Sequence, residues 1–341
     1  MSTAESMAPP AHAQLIQMGS AYWVSKIVCV AAKLGLADQL AAGPKSAGEL
    51  APELGVHAPS LHRLLRTLAG LGVFSERAEQ RFTLTPLGEA LKTGAAGSAR
   101  STLLSFGSDW MGGAFDQLLH AVQTGETGFE KAHGKPIFAY FAEHPDEASL
   151  FSETMVGFHG AEPPAVAESY DFSAVQTVVD VGGATGNLLA AVLCRYPELR
   201  GVLFDLPHVI GEAPSLLAAR GVSDRVTIEA GDFFESVPAN ADAYLLSHII
   251  HDWSEQQCLT ILANVRRAMK PDSRLLIVEM VLPPGDEPHP GKVLDIGMLV
   301  LAGGQERTEA EYRPLLQKAG FRLTRVVPTA SAVSIVEALP A

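Results

Sequence analysis

Apolar positions recur at helical spacing through the first half of the chain, and from about residue 171 short apolar runs alternate with helical stretches. From Gln14 the residues Leu15, Ile16, Met18, Tyr22, Trp23, Val24, Ile27, Val28 and Val30 are too dense for a helix that buries one stripe. A helix greasy on most sides must be covered from several directions, in an N-terminal segment often by a partner chain. After the break at Gly43-Pro44, Ser46-Ala-Gly-Glu49 reads as a capping box, and residues 58–71 form a strongly amphipathic helix. Val73-Phe74 and residues 81–85 flank a polar turn, so helix–turn–helix plus hairpin gives a winged-helix outline. Residues 100–165 read as helices broken at Gly112-Gly113, Gly125 and Gly134-Lys-Pro136, crowded with aromatic side chains. Most of these are expected in cores; several, with Phe151 and Met155 among the candidates, are expected to line an apolar ligand pocket.

In the C-terminal half the pattern predicts strands near 177–181, 200–205, 226–231, 242–247 and 274–280, with a final pair near 321–327 and 332–338. Only Pro328-Thr-Ala-Ser331 separates the last two, too short for a crossover helix, so that pair must be antiparallel. The first strand ends in Thr177-Val-Val-Asp-Val-Gly-Gly-Ala-Thr-Gly-Asn187, a strand, tight turn and helix where backbone amides can approach a ligand. Phe204-Asp205, Gly231-Asp232-Phe233 and Ser247-His-Ile-Ile-His-Asp-Trp253 end the next three strands. Polar and aromatic residues at successive carboxyl ends mark the ligand edge of an open α/β sheet. The dinucleotide fingerprint G-x-G-x-x-G, begun at Gly182, fails at Ala184 and Asn187. The expected division is a winged-helix-like domain at 14–99, a helical connector at 100–165 and an α/β domain at 166–341.

Composition narrows the partners. With 25 basic and 38 acidic residues the formal charge is −13, which repels phosphate backbones, and Arg63 and Arg66 on one helix read as a solvated face. No nucleic-acid partner is expected. Three cysteines, far apart and without CxxC spacing, give neither a disulfide framework nor a thiolate metal site. The N-terminus lacks the basic and apolar regions of a signal peptide, and no uncharged apolar run approaches the ~18 residues of a membrane span. A soluble, cytoplasmic protein with no membrane partner is therefore expected.

At the sheet edge, Asp205 lies 25 residues beyond Asp180, where a carboxylate can accept two ribose hydroxyls; capping the next helix is the alternative. Asp232 and Phe233 can offer an acceptor and an aromatic face to a base, and Ser247 on the fourth strand is a further candidate contact. His248 and His251 are three apart beside Asp252, but no third ligand sits at a recognisable spacing, so no metal site is expected. His251 is a suitable general base, and Glu279 and Glu306 are candidates to orient it or, equally, surface salt-bridge partners.

The 177–187 loop resembles the D/E-x-G-x-G-x-G loop of class I S-adenosylmethionine methyltransferases, with Ala184 departing from the middle glycine by one methyl group. Leu245-Leu-Ser-His-Ile-Ile-His-Asp-Trp-Ser-Glu255, Phe204-Asp-Leu-Pro-His-Val-Ile210 and Gly303-Gly-Gln-Glu-Arg-Thr308 resemble the caffeate/flavonoid-type O-methyltransferases and their bacterial natural-product relatives. The likeness runs from about residue 15 to the C-terminus. It implies a Rossmann-like, seven-stranded, mainly parallel sheet with a C-terminal antiparallel hairpin, preceded by a homodimerising winged-helix-like region. It implies S-adenosylmethionine as cofactor, a small aromatic hydroxyl compound as acceptor, His251 as base flanked by Glu279 and Glu306, and cofactor contacts at Gly182, Asp205, Asp232, Phe233 and Ser247. Phe151, Met155 and Asp252 fall to the acceptor. Ser247 stands where plant members often have Lys. Two other readings remain on the sequence: a relative that binds the cofactor without methylating, and a winged-helix regulator that senses it.

Overall fold

The computed structural model describes residues 9–95 and 97–341. They form two compact units: the chain up to Gly112 with Phe141–Phe158, and Gly113–Tyr140 with His159–Ala341. The connector expected at 100–165 is thus shared between them.

The first unit begins with the 23-residue helix Ala11–Lys33. Its inner end is buried at Cys29, Ala31 and Ala32, whereas Leu15, Ile16, Met18, Tyr22 and Trp23 are each more than 60% exposed. By length and composition this helix is apolar enough to cross a bilayer, against the sequence expectation. The expectation counted uncharged runs, and Lys26 interrupts this one; the many Ala and Val residues restore the average over the whole helix.

Beyond it, Ser46 and Glu49 close the expected capping box: the Ser46 amide donates to Glu49 at 2.7 Å and the Glu49 amide to Ser46 Oγ at 3.3 Å. Helices Ala47–Leu54 and Ala58–Gly70 bury Leu50, Leu61, Leu65 and Leu68 against Phe74 and Phe82. Strands β1 (Lys45–Ser46), β2 (Phe74–Arg77) and β3 (Arg81–Leu84) form an antiparallel sheet in the order β1-β3-β2, completing the winged-helix outline. Arg63 and Arg66 are exposed. Phe151 packs in an aromatic cluster of this unit, 4.9 Å from Phe141 and 6.3 Å from Trp110 between ring centroids.

The second unit is built on seven strands: β4 (Thr177–Val181), β5 (Arg200–Asp205), β6 (Val226–Ala230), β7 (Ala243–Ser247), β8 (Arg274–Glu279), β9 (Phe321–Pro328) and β10 (Ser334–Pro340). Their order is β6-β5-β4-β7-β8-β10-β9, parallel through the first five, with β10 antiparallel to both β8 and β9. The inner strands read as continuous Val/Leu/Ile runs because both sheet faces are covered. Val178, Leu245 and Leu276 pack into one core layer, and Val179, Leu246 and Ile277 into the other. The order reverses between β5–β4 and β7, and a crevice at such a switch point is where open α/β sheets take ligands.

The turn after β4 shows why it is glycine-rich. Gly182 has φ +70°, and a Cβ there would fall 2.4 Å from Ile249 Cδ1; a Cβ on Gly183 would meet Leu203 at 2.5 Å. Ala184 carries φ +49°, a left-handed conformation that costs an alanine about 1–2 kcal/mol. Ala184→Gly should therefore stabilise the chain by up to about 1 kcal/mol, after the greater unfolded-state entropy of glycine is deducted. Denaturant unfolding checks this, and a lower midpoint at unchanged m-value would show that the turn is not strained.

Candidate active site

The site grows from the carboxyl ends of β4, β5, β7 and β8. Asp180, near the end of β4, is buried, and neither of its carboxylate oxygens meets a partner in hydrogen-bond geometry among the described residues. Burial and then the neighbouring Asp205 charge raise its carboxyl to about 7, against an opposing pull from the Leu189 amide. Asp205, ending β5, accepts the Leu206 amide on Oδ1 at 2.7 Å and the Ala184 amide on Oδ2 at 2.9 Å. It therefore ties the glycine turn to the next strand. Asp232 Oδ1 accepts the Phe234 amide at 2.8 Å, and the Phe233 ring stands edge-on to Trp253, 6.1 Å away. Ser247 ends β7. This edge suits S-adenosylmethionine: an orphaned buried carboxylate, a turn whose side chains are cut back, and acids ending successive strands.

Beyond β7 the chain turns through His248, which has φ +54°, into the short 3₁₀ turn Ile250–Asp252. His251 is buried. Its Nδ1 lies 2.6 Å from Glu306 Oε1, and its Nε2 lies 3.5 Å from Asp252 Oδ1. Glu279 does not hold the imidazole. Its Oε1 accepts the backbone N–H of His251 at 3.0 Å, and its Oε2 accepts the Tyr312 hydroxyl. The two acids expected from sequence thus divide the work: Glu306 sets the ring, and Glu279 sets the backbone that carries it.

The Gly303–Thr308 segment is shaped around the same turn. A Cβ on Gly304 would fall 1.8 Å from the His251 carbonyl oxygen, which accepts the Gln305 amide at 2.8 Å. Arg307 is buried and donates from one guanidinium nitrogen to the carbonyls of Ile250 and Gln305, each at 3.1 Å. Burial alone would disfavour the His251 cation. Asp252, Glu306 and Glu279 outweigh it and push the imidazole up to about 10.

Sequence reasoning missed Tyr312 and Arg307, and it missed Glu162 and His159 altogether. Glu162 Oε2 lies 2.7 Å from His248 Nε2, and Oε1 lies 3.1 Å from His159 Nδ1. Burial raises the Glu162 carboxyl, but the two imidazoles reverse this and hold it at about 2. Glu162-Pro-Pro164 reads locally only as a helix start, and 86 residues separate Glu162 from His248. Phe151 and Met155 lie in the first unit, on the helix Pro145–His159.

Two family models match the chain: an O-methyltransferase domain over residues 115–322 and an O-methyltransferase dimerisation domain over residues 16–94. The phenazine O-methyltransferase PhzM of Lysobacter antibioticus is 48% identical over 98% of this chain and 97% of its own length. A crystal structure of LaPhzM, also 48% identical, matches with a TM-score of 0.93 over 98% of this chain and 100% of that one. NcsB1, an O-methyltransferase from neocarzinostatin biosynthesis crystallised with S-adenosylmethionine and 2-hydroxy-5-methyl naphthoic acid, is 32% identical. It matches with a TM-score of 0.81 over 93% of this chain and 96% of its own. From the crevice to the N-terminal dimerisation domain the agreement is continuous, and the chain belongs to the S-adenosylmethionine-dependent O-methyltransferases.

Proposed function

We propose that the chain methylates a phenolic hydroxyl of a small aromatic metabolite, with His251 as the general base. The observation that carries this reading is the buried His251 ring, its Nδ1 fixed 2.6 Å from Glu306. With Nδ1–H donated to that carboxylate, Nε2 is the nitrogen left to take a proton. A nitrogen acceptor with a free lone pair needs no base before it attacks, whereas a hydroxyl does. A base near pKa 10 also matches a phenol of similar pKa, the condition under which a proton is shared most readily.

S-adenosylmethionine supplies an activated methyl group on a sulfonium. The chain's residues do the rest. Asp205 would accept the ribose hydroxyls, Asp232 and Phe233 would hold the adenine, and Gly182 and Ser247 would flank the cofactor. Glu279 and Tyr312 fix the His251 backbone, and Glu306 fixes its tautomer and supports its cation. Asp252, beside Nε2, positions the acceptor. Held at near-attack distance, the two reactants need little further ordering. A phenazine and a naphthoic acid in the relatives' names favour fused aromatic acceptors. A panel of hydroxylated phenazines, naphthoates and benzoates with methyl-labelled S-adenosylmethionine tests the reading. Label on a phenolic oxygen supports it, and turnover without S-adenosylhomocysteine overturns it.

The dimerisation domain and the exposed outer half of Ala11–Lys33 support a homodimer. Ile16 and Trp23, 68% and 69% exposed, would then meet the partner. Replacing both with Glu should leave the protein monomeric in light scattering, because two charges would be buried unpaired. A dimer of unchanged mass would remove this helix from the interface.

A further inference from the structure

Three side chains that the methyl-transfer chemistry leaves unused converge beside His251. His159 Nδ1, a Glu162 carboxylate oxygen and His248 Nε2 all lie within 4.8 Å of one another. We propose that they form a site for one divalent transition metal ion of the zinc class.

The donor set is two imidazoles and one carboxylate, which zinc accepts with a fourth position left open. Donors around a tetrahedral zinc lie about 3.4 Å apart, given metal–ligand bonds of about 2.0–2.2 Å. Glu162 already bridges the two imidazoles by hydrogen bonds, its Oε1 3.1 Å from His159 Nδ1 and its Oε2 2.7 Å from His248 Nε2. An ion replaces those two protons. The rings are stacked, 3.8 Å between centroids and tilted by 35°, and turn apart slightly to share it.

Three further features fit a site and not a packing accident. His248 keeps φ +54°, a backbone conformation that an ordinary side chain adopts only when its surroundings hold it there. Its amide is pinned to the Val278 carbonyl at 3.1 Å, so strand β8 fixes the turn that aims the ring. On the opposite side, Pro163 and Pro164 start the helix Glu162–Ser169 and set where Glu162 stands. An ion here would staple that helix to the end of β7, with the His251 ring 5.1 Å from that of His248. The assignment does not depend on the methyl-transfer reading, since it uses none of the residues given to base or cofactor.

The test uses the full-length protein, stripped with a chelator and titrated with cobalt(II) as a visible probe, followed by zinc. One cobalt per chain with tetrahedral d–d absorption, displaced by one zinc, is expected, together with a zinc-dependent rise in melting temperature. His159→Asn and Glu162→Gln should each weaken binding by more than the roughly 10- to 100-fold that loss of an outer-shell partner costs, and should abolish the melting shift. His159→Asn keeps the Glu162–His248 pair, so it covers the case in which Glu162→Gln fails to fold. Glu306→Gln should bind as wild type. Absence of stoichiometric cobalt in the wild type overturns the proposal. So does binding that survives His159→Asn and Glu162→Gln, which would place the ion at a surface group such as the exposed Cys194. Loss of binding in Glu306→Gln alone would place it at the base and also overturn it. Cofactor binding by calorimetry, followed in parallel, reports separately on the catalytic reading.

Discussion

His251→Ala is expected to lower kcat for methyl transfer by about 10²–10⁴-fold, the usual worth of positioned proton transfer. Affinity for S-adenosylmethionine should barely change, because the proposed role of the imidazole is toward the acceptor and not the cofactor. The pH profile gives a second reading. Three acids raise the His251 pKa to about 10, so at neutral pH the free enzyme holds the cation. The productive complex has one proton fewer, whether it is written as imidazole with phenol or as imidazolium with phenolate. The acceptor kcat/KM should therefore rise with pH from neutral toward about 10. Glu306→Gln removes a charge that favours the cation, so it should move that rise to lower pH and also lower the plateau. Stability follows the opposite sign. A raised imidazole stabilises the fold fully below its unfolded pKa of about 6.5, and this contribution fades as pH climbs toward 10. An acceptor already ionised at the assay pH should be far less sensitive to the loss of His251. Near-wild-type kcat from His251→Ala on an un-ionised hydroxyl acceptor would sink the assignment.

Asp205→Ala is expected to weaken S-adenosylmethionine binding by about 10- to 150-fold, the worth of a charged acceptor serving two hydroxyls, roughly 1.5–3 kcal/mol. The structure adds a second route to the same loss. Asp205 already accepts the Ala184 and Leu206 amides, so its removal also releases the glycine turn that must approach the cofactor. Asp205→Asn keeps one acceptor oxygen and should fall between wild type and alanine. Calorimetric titration checks both, with circular dichroism to confirm the fold. Unchanged affinity in Asp205→Ala would take this residue out of the site.

The two halves of the chain were legible for different reasons. Where local pattern fixes local structure, the sequence sufficed: both helices and the hairpin of the winged-helix outline stand where expected, as does the Ser46–Glu49 box. All seven predicted strands are present, and Pro328-Thr-Ala-Ser331 does force an antiparallel close. In the fifth of them, β8, continuous burial reads directly from Arg274-Leu-Leu-Ile-Val-Glu279. The bilayer-length character of Ala11–Lys33 escaped a count of uncharged runs, because hydropathy averages over a whole helix while a run stops at one lysine.

What sequence alone determined was which strands end in chemistry, since a residue's place at a strand terminus follows from the periodicity around it. Which partners those residues meet was decided only by the tertiary structure. Glu279 and Glu306 looked equivalent beside His251, yet one holds its backbone and the other its ring. Spacing cannot separate the two roles, because they depend on how β8 and the Gly303–Thr308 segment approach a turn 28 and 55 residues away. Glu162 and His159 left no local mark for the same reason. Contacts across the sheet edge come from the packing of distant elements, and no periodicity within either element records them.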